Sequence, residues 1–441
     1  MAAPRQNIAI PKELRNRILF TLGMLAIYRI GVSVPTPGVD GAAVLDFFKQ
    51  QSGGIFGLFN TFTGGALQKF SVLALGIMPY ISASIIFQLL QAAVPYLEAL
   101  KKEGDAGRRK INQYTRYATV VLALFQGWAM STWFINNHPQ DGRALVSQPF
   151  FGPIPFQVMT TLTLTAGTCF LMWLGEQITE RGIGNGASLI IFAGIASGIP
   201  SGSVRLFEMV KSGDLSGIIA LSIIVGMVIV IGAIVFIEVG QRRIPIQYSQ
   251  RGAGKQAMSQ QQSHLPLKVN FAGVIPPIFA SSLLMFPATI AQFTTSPWIK
   301  NMQQSLSPSG SVYNVLFIAL IVFFCFFYTE IQFNPTEVAD NLKKYGGFIP
   351  GIRAGKSTAD YIKRVLDRLT VSGAVYLSIV CILPTMLVNN LHLPFYFGGT
   401  SLLILVGVAL DTTQQIQSHL ITAKYDGMIG GTKIKSRRVR Y

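Results

Sequence analysis

Charged residues are scarce in this chain of 441 residues: Asp, Glu, Lys and Arg together make up 12% of it. A soluble domain of that length needs about twice that share to cover its surface. Half of the residues are apolar, and they cluster in long runs rather than alternating with polar residues. Apolar runs of about 18 residues or more are typical of membrane-spanning helices. The composition therefore argues against an ordinary soluble protein and predicts a bundle of helices in lipid, each satisfying its own backbone groups.

Cysteine and histidine are also few, and neither has the spacing of a site. The three cysteines, Cys169, Cys325 and Cys381, lie inside apolar runs without a CxxC pair, which argues against a disulfide framework or a metal site. The four histidines are scattered without ligand spacing. A glycine-rich stretch at 182–186 follows a predicted helix rather than a strand, so it does not fit a dinucleotide-binding loop. We therefore predict no metal, no cofactor and no enzymatic activity.

The apolar runs predict ten membrane-spanning helices. They cover residues 18–34, 76–97, 116–135, 154–174, 183–201, 217–239, 271–292, 312–332, 370–388 and 397–416. Arg15 and Arg17 precede the first run, as in a signal peptide, but no small-x-small cleavage motif follows and Arg29 interrupts the run. The first run is therefore predicted to be a retained span.

The net charge of +17 is distributed unevenly along the chain. If the N-terminus is cytoplasmic, 29 of the 36 Lys and Arg residues fall in inner segments and only 6 in outer ones. Basic residues are retained on the cytoplasmic side of membranes. We therefore predict that both termini, residues 1–17 and the basic tail 417–441, are cytoplasmic.

Ten spans divide into an N-terminal half, 18–201, and a C-terminal half, 202–416. The second half contains long cytoplasmic loops at about 240–270 and 333–369. Because each half has an odd number of spans, the second half starts on the opposite side of the membrane. If the halves are structural repeats, they are inverted ones. This prediction rests on counting, since the residues show no visible repeat.

Residues 55–97 do not fit a simple span. They contain one formal charge, Lys69, and are too long for one span of about 20 residues. Two spans would place the basic segment 101–110 outside. One span plus a short element that enters the membrane and returns fits better. Residues 60–70 suit that element because Gly64 and Gly65 permit a sharp turn, with a half-helix expected at 66–75. An amphipathic helix on the outer surface is the alternative, and the residues alone do not choose between the two.

Paired isoleucines mark two of the predicted spans. Ile77 and Ile81 share one helix face, and Ile275 and Ile278 repeat the arrangement in span seven. Contact with lipid or with the helix core is the default interpretation of such pairs. Prolines, small residues and polar side chains near both pairs instead favour a cavity or a surface where helices part. The polar side chains are Ser82, Ser84, Gln88, Asn270, Ser281 and Ser282.

Ionisable residues in the spans or just beyond them are few and lie near the span ends. The candidates are Arg29, Glu176, Glu238, Glu330 and Asp411. Secondary transporters place such groups in the middle of the membrane, often in opposed pairs, and no such pair is predicted here. A pathway lined by apolar residues gates by excluding water. A secondary transporter with inverted repeats remains the alternative function.

Basic residues in the cytoplasmic loops admit two interpretations. They can hold the topology and contact anionic lipids, or they can dock an acidic or phosphate-rich partner. The stretch GFIPGIR at 347–353 favours docking, because it presents Arg353 at the tip of a turn-rich loop. Sequence-specific nucleic-acid binding has no support.

Several long segments identify the family that this sequence resembles. They are YRIG at 28–31, TGGAL at 63–67, ALGIMPYISASII at 74–86, KEG at 102–104, GRRKI at 107–111, WLGEQITERGIGNG at 173–186, SHLPLKVN at 263–270, PGIR at 350–353 and PFYFGGTSLLI at 394–404. In this order they resemble the SecY family, and its proteobacterial branch most of all. The resemblance extends from about residue 14 to residue 411.

The resemblance implies an all-α polytopic membrane protein, with an hourglass channel between two inverted five-helix halves. The channel would carry unfolded polypeptides across the bacterial inner membrane and release transmembrane segments sideways. A ring of apolar side chains would form its narrowest point: Ile77, Ile81, Ile191, Ile275, Ile278 and Ile404. A re-entrant plug helix at about 61–70 would seal the outer funnel, which favours the re-entrant interpretation. Its residues are Thr61, Phe62, Gly64, Gly65, Ala66 and Leu67.

The resemblance also implies a lateral gate and several partners. Spans two and seven would form the gate, with Ser82, Gln88, Asn270 and Ser282 as its polar residues. The SecA motor or the ribosome would dock on Arg353, Arg242, Arg243, Arg251 and Lys255. SecE would clamp the halves, and SecG, signal sequences and anionic lipids would also bind. Two positions depart from the family pattern: Ala187 stands where a ring isoleucine is expected, and residues 252–256 are less basic than usual.

Overall fold

The computed structural model describes residues 11–50, 55–136, 145–146, 150–151, 154–248, 263–291, 310–391 and 398–430. Its first part contains helices α1 (Lys12–Val32), α2 (Gly41–Gln50), α3 (Ile55–Phe62), α4 (Met78–Ala93), α5 (Pro95–Lys102), α6 (Asp105–Asn136), α7 (Phe156–Arg181), α8 (Gly186–Ala196) and α9 (Gly198–Ser212). A two-stranded ladder, β1 (Phe150–Phe151) with β2 (Ile154–Pro155), precedes α7.

The second part begins with α10 (Gly217–Val239). It continues with strands β3 (Gln241–Tyr248) and β4 (Ser263–Lys268), α11 (Ile275–Ala291), α12 (Ser311–Gln332), α13 (Pro335–Lys344), strand β5 (Gly347–Phe348), α14 (Lys356–Leu391) and α15 (Gly399–Gly430).

Helices lie at all ten predicted spans, which correspond to α1, α4, α6, α7, α8 with α9, α10, α11, α12, α14 and α15. Within the described residues, six helical segments are long and apolar enough to cross a membrane, or seven if α4 and α5, which meet at 97°, form one bent span. Helices α1 and α15 and the shorter apolar stretch of α11, Ile275–Leu284, are not among them. The chain is thus a mostly helical, multi-pass membrane protein, as predicted, while the count of ten spans stays a prediction.

The two predicted halves meet along specific helix pairs. In the described part of the chain, α4 packs against α11, and α8 packs against α15. Within the halves, α6 packs against α4 and α7, and α12 packs against α11 and α14. Helices α4 and α8 precede residue 202 and helices α11 and α15 follow it, so both contacts join the N-terminal to the C-terminal half.

The basic segment 101–110 was predicted as a loop and is largely helical. Helix α5 ends at Lys102 and α6 begins at Asp105, well before the apolar run at 116. Charges stabilise these helix ends: the Lys102 ammonium lies 2.7 Å from the Glu98 carboxylate one turn earlier, and Asp105 lies in the first turn of α6. Hydropathy marks only the part of a helix that contacts lipid. The predicted spans are therefore shorter than the helices on both sides of this segment.

A small β-sheet joins the two long loops of the second half. Its strand order is β4-β3-β5, with both pairs antiparallel. In β3, Ile244 and Ile246 are buried while their neighbours face solvent, which is the alternation of a half-buried strand. Ile244 packs with Ile349 and Ile362 in a separate apolar core. The loops therefore form one folded unit rather than independent connections.

The re-entrant element differs from its prediction. Helix α3 ends at Phe62, and residues 63–77 form consecutive turns instead of a half-helix at 66–75. The backbone leaves the helical region at Gly64 (φ 64°), Gly65 (φ 85°) and Gly76 (φ 59°), and also at Phe70 (φ 42°). The predicted plug helix at 61–70 is therefore wrong in its bounds, because the glycines that permit the turn also end the helix. We call residues 55–70 the plug segment.

Candidate functional site

Six isoleucines from four helices meet in one apolar cluster. Ile77 and Ile81 come from the start of α4, Ile191 from α8, Ile275 and Ile278 from α11, and Ile404 from α15. Ile77, Ile81, Ile191 and Ile404 are at most 7% exposed, and the pair on α11 is half-buried against the same cluster. Ala187 also packs against it. All six residues of the predicted ring therefore belong to one large apolar cluster or pack against it, and we call these six residues the waist.

The burial of the waist has a direct physical consequence. Branched aliphatic side chains offer water no hydrogen bonds, so a narrow passage lined by them dries when it is empty. Ions and protons do not cross such a passage without a hydration path. The same side chains contact a threaded peptide without requiring any particular hydrogen-bonding group. A passage lined by the waist residues would therefore seal a membrane and still yield to a chain of any sequence.

The plug segment lies between two apolar clusters of the protein. Phe62 and Ala66 belong to the same apolar cluster as the waist. Leu67 and Phe70 instead belong to a neighbouring cluster that includes Val44 of α2. The plug segment therefore contacts two apolar clusters, the one that contains the waist and the one that contains Val44 of α2.

Asn60 shapes the turn of the plug segment. Its side-chain oxygen accepts a hydrogen bond from the Gln68 backbone nitrogen at 3.0 Å. Its backbone oxygen accepts from the Gly65 nitrogen at 2.9 Å and from the Thr63 hydroxyl at 3.2 Å. These bonds fold residues 60–68 into one compact unit. Asn60 was not predicted as a site residue, although Asn side chains commonly bond nearby backbone groups in turns.

The tip of the plug segment lies directly against α8. A Cβ atom on Gly194 would stand 3.0 Å from the Phe62 carbonyl oxygen and 3.2 Å from the Gly64 nitrogen. A Cβ atom on Gly64 would stand 2.7 Å from the Gly194 Cα atom, and Gly64 also has a positive φ. Only glycine at both positions permits this approach of the two backbones.

Gly194→Val is expected to unseat the plug segment and to raise ion leak through the purified protein in lipid vesicles. Overpacking typically costs about 1–3 kcal/mol, so the seated population should fall about five- to 150-fold relative to the unseated one. Leak follows because Phe62 and Ala66 leave the cluster that contains the waist. Gly226→Val on α10, where the added side chain meets open space, is the matched control. If vesicles with the Gly194→Val protein leak ions no faster than vesicles with the parent protein, the tip of the plug segment is not held by its contact with α8.

The predicted lateral gate joins helices that do pack together. Ser82 and Gln88 lie half-buried on α4, while Ser282 lies buried on α11, and the two helices are in contact. In the part of the chain that the structure describes, the buried Ser282 hydroxyl has no hydrogen-bond partner. An unsatisfied buried hydroxyl costs free energy, so Ser282 makes the packing of α11 less stable than an apolar residue of the same size would.

Asn270 and Gln88 have separate partners. The Asn270 side-chain nitrogen donates to the Glu238 carboxylate at 2.7 Å and to the Gly273 carbonyl at 3.1 Å. The Gln88 side-chain nitrogen donates to the Ser84 hydroxyl on its own helix at 3.2 Å. Asn270 therefore ties the start of α11 to the end of α10 rather than to α4. Glu238 was predicted only as an ionisable residue near a span end.

Another ionisable residue near a span end is paired across helices. The Arg116 nitrogen Nε lies 2.7 Å from the Glu176 carboxylate, which joins α6 to α7. Among the described residues, no group of three His, Cys, Asp or Glu side chains could hold a metal ion.

Arg353 lies exposed at the tip of a braced loop. Gly351 (φ 80°) and Gly355 (φ 104°) turn the chain on either side, and the Thr358 hydroxyl donates to the Arg353 carbonyl at 2.9 Å. Ile352 packs against the apolar core beneath the sheet. Arg242 and Arg243 are exposed on β3 of the same unit. Arg251 and Lys255, also predicted for docking, lie outside the described residues.

Comparison with known proteins supports one family for this arrangement. The SecY family model matches residues 71–413. The protein translocase subunit SecY of Vibrio cholerae is 48% identical over 430 residues, covering 96% of this chain and 95% of that protein. The relatives give no support to a secondary transporter.

Solved structures show the same fold at lower identity. One, described as the structure of a protein conducting channel, is 18% identical with a TM-score of 0.66 and covers 100% of this chain and 97% of that chain. Sec61 in the canine ribosome-channel complex from the endoplasmic reticulum is 17% identical with a TM-score of 0.63, at the same coverage of both chains. Since the sequence match extends over nearly the whole length and the fold agrees with it, this chain belongs to the SecY family.

Proposed function

We propose that this chain is the channel subunit of a bacterial protein translocase. It passes unfolded secretory polypeptides across the inner membrane and releases transmembrane segments sideways into the lipid. Family membership and the near full-length match to a translocase subunit support the proposal. The single observation that carries it is the convergence of six isoleucines from four helices into one buried waist.

The origin of the waist residues fits two inverted halves. They come from spans two and five of the first half and from spans seven and ten of the second half. Each second-half span follows its first-half counterpart by five, which is the correspondence that two repeated five-helix units require. In this proposal the passage runs between the halves, where α4 meets α11 and α8 meets α15.

Release into lipid uses the contact between α4 and α11. When these helices part, an apolar segment in the passage meets lipid and partitions into it. The gain is about 0.3–0.6 kcal/mol for each Leu, Ile, Phe or Val at the centre of the segment. The polar residues Ser82, Gln88 and Ser282 lower the cost of parting, because their groups gain partners in a wetter interface.

The motor and the remaining subunits are partners of this chain in the proposal. The waist has no nucleotide site, so directional work comes from a SecA motor or from a ribosome that pushes its nascent chain. Arg353, Arg242 and Arg243 present positive charge to either from one folded unit. SecE clamps the two halves, SecG completes the complex, and anionic lipids bind the remaining basic residues. In this proposal both termini are cytoplasmic, which the distribution of Lys and Arg supports.

A reconstituted transport assay tests this function. The chain is purified with SecE and SecG, placed in lipid vesicles, and supplied with SecA, ATP and a secretory precursor. We expect the precursor to become protected from external protease, whereas a precursor without its signal sequence stays accessible. Absence of protection in vesicles that bind SecA normally would overturn the proposal.

A further inference from the structure

Two adjacent residues of α1 hold the backbone of the plug segment. The Tyr28 hydroxyl donates to the Thr63 carbonyl oxygen at 3.1 Å. The Arg29 nitrogen Nη1 donates to the Gly64 carbonyl oxygen at 3.0 Å. Tyr28 is 1% exposed and Arg29 is half-buried, so both bonds lie away from bulk water. Successive side chains of one helix thus contact successive carbonyls of the plug segment.

The turn at Gly64 makes these carbonyls available. Helix α3 ends at Phe62, so the Gly64 carbonyl has no continuing helix to bond, while the Thr63 carbonyl accepts one long bond from the Ala66 nitrogen at 3.3 Å. Their other neighbour is Gly194 of α8, which approaches Gly64 within van der Waals contact. The plug tip is therefore held between α8 and the Tyr28–Arg29 pair.

Arg29 is an unusual residue to place in a span. A charged side chain in a membrane helix is costly and is commonly a sign of function, particularly when it bonds backbone carbonyls. Among the ion pairs of the described residues, none involves Arg29. Its position in the last turn of α1 also matches the negative end of the helix dipole. The bond to Gly64 is thus the specific contact that its guanidinium gains from the seated plug.

The other end of the plug segment is fastened independently. The Thr36 nitrogen donates to the Phe70 carbonyl at 2.9 Å, and the Val72 nitrogen donates to the Val34 carbonyl at 3.0 Å. The Phe70 ring also packs against the Phe134 ring, with centroids 4.0 Å apart. These contacts do not depend on Tyr28 or Arg29. The tip can therefore leave its seat while the base at residues 70–72 stays in place.

We infer that the Tyr28–Arg29 pair is a latch that holds the tip of the plug segment against α8 and keeps the channel shut. The two are positioning residues, and the inference rests on the proposed function only in assigning the plug a role in transport. An incoming polypeptide that displaces the tip breaks both bonds together. The base then guides the tip back to the same two donors.

The labelling rate of a cysteine at position 63 shows directly whether the latch holds the tip in place. Thr63 is 1% exposed when the tip is seated, so a cysteine there should react slowly with a membrane-impermeant maleimide added from the outer side. In the Thr63→Cys protein, Tyr28→Phe should speed labelling about three- to tenfold, the effect of losing one neutral hydrogen bond. Arg29→Met should speed it about ten- to a hundredfold, since the lost donor is charged, and Arg29→Lys should give an intermediate rate.

Matched controls separate the latch from general damage. Tyr117→Phe removes an exposed hydroxyl from α6, and Arg17→Met removes a charge from the solvent end of α1. Both should leave the labelling rate within twofold of the parent. If Tyr28→Phe and Arg29→Met also stay within twofold, the latch is wrong. Faster labelling with no precursor transport by the parent protein would keep the latch and overturn the proposed function, so the two failures are distinguishable.

Discussion

Replacing Ile81 and Ile278 together by Ser is expected to raise the ion conductance of vesicles that contain this protein at least tenfold. Burying one such side chain is worth about 1.5–3 kcal/mol, so the double change removes a large part of the force that keeps the waist dry. The two hydroxyls also give water hydrogen-bonding partners at the waist. Water that persists there provides a path for ions.

Two further variants make the conductance experiment specific. Ile81→Leu with Ile278→Leu keeps the apolar volume and should remain tight. Ile219→Ser with Ile229→Ser places the same hydroxyls on the exposed face of α10, where they should leave conductance unchanged. If the Ile81 and Ile278 serine variant conducts no more than the parent, the waist is not the seal.

Reversing one charge at the loop tip is expected to lower transport driven by SecA at least tenfold in the Arg353→Glu variant. The exposed guanidinium offers a fixed, bidentate partner for a carboxylate, and glutamate there repels the same group. The braced loop holds its shape through the Thr358 bond to the Arg353 backbone, which the substitution keeps. Insertion of the variant protein itself into the membrane should therefore be normal.

The docking experiment needs a charge reversal outside the tip. Lys363→Glu changes the charge by the same amount on the exposed face of α14 and should transport within about twofold of the parent. Precursor protected from protease is measured for both variants in the same vesicle preparation. Transport by Arg353→Glu at the parental rate would remove this residue from the docking surface.

The waist is the part of the site that sequence reasoning placed best. Spacing put Ile77 with Ile81 and Ile275 with Ile278 on common faces of their helices, but it could not exclude faces toward lipid. The resemblance to the SecY family supplied Ile191 and Ile404, whose surroundings carry no comparable signal. The structure adds that all six contact one cluster, which depends on how four distant segments pack and not on any one of them.

The plug segment shows why its helix was misplaced. Paired glycines were correctly taken as a turn, yet the helix was assigned to the residues around and after them. Helix α3 instead precedes Gly64, because glycine has little preference for helical backbone and Phe70 is held at positive φ by contacts distant in sequence. The Thr36 bond and the Phe134 ring that hold Phe70 leave no local pattern.

The loop unit was missed for a different reason. Membrane spans dominate the hydropathy profile, and the short alternating stretch around Ile244 and Ile246 was therefore not predicted as a strand. Its strands pair across a long insertion and with residues near 347, which no local window contains.

Similarly, the bond between Glu238 and Asn270 joins residues 32 positions apart and depends on how the end of α10 packs against the segment before α11.

Cross-linking of a stalled precursor to the waist tests the central claim most directly. Single cysteines at Ile81 and Ile278 are offered to a precursor that carries one cysteine and is halted midway by a folded domain. We predict disulfide-linked adducts at both positions, and none from a cysteine at Ile229 on the exposed face of α10. Adducts at Ile229 but not at Ile81 or Ile278 would contradict a passage through the waist.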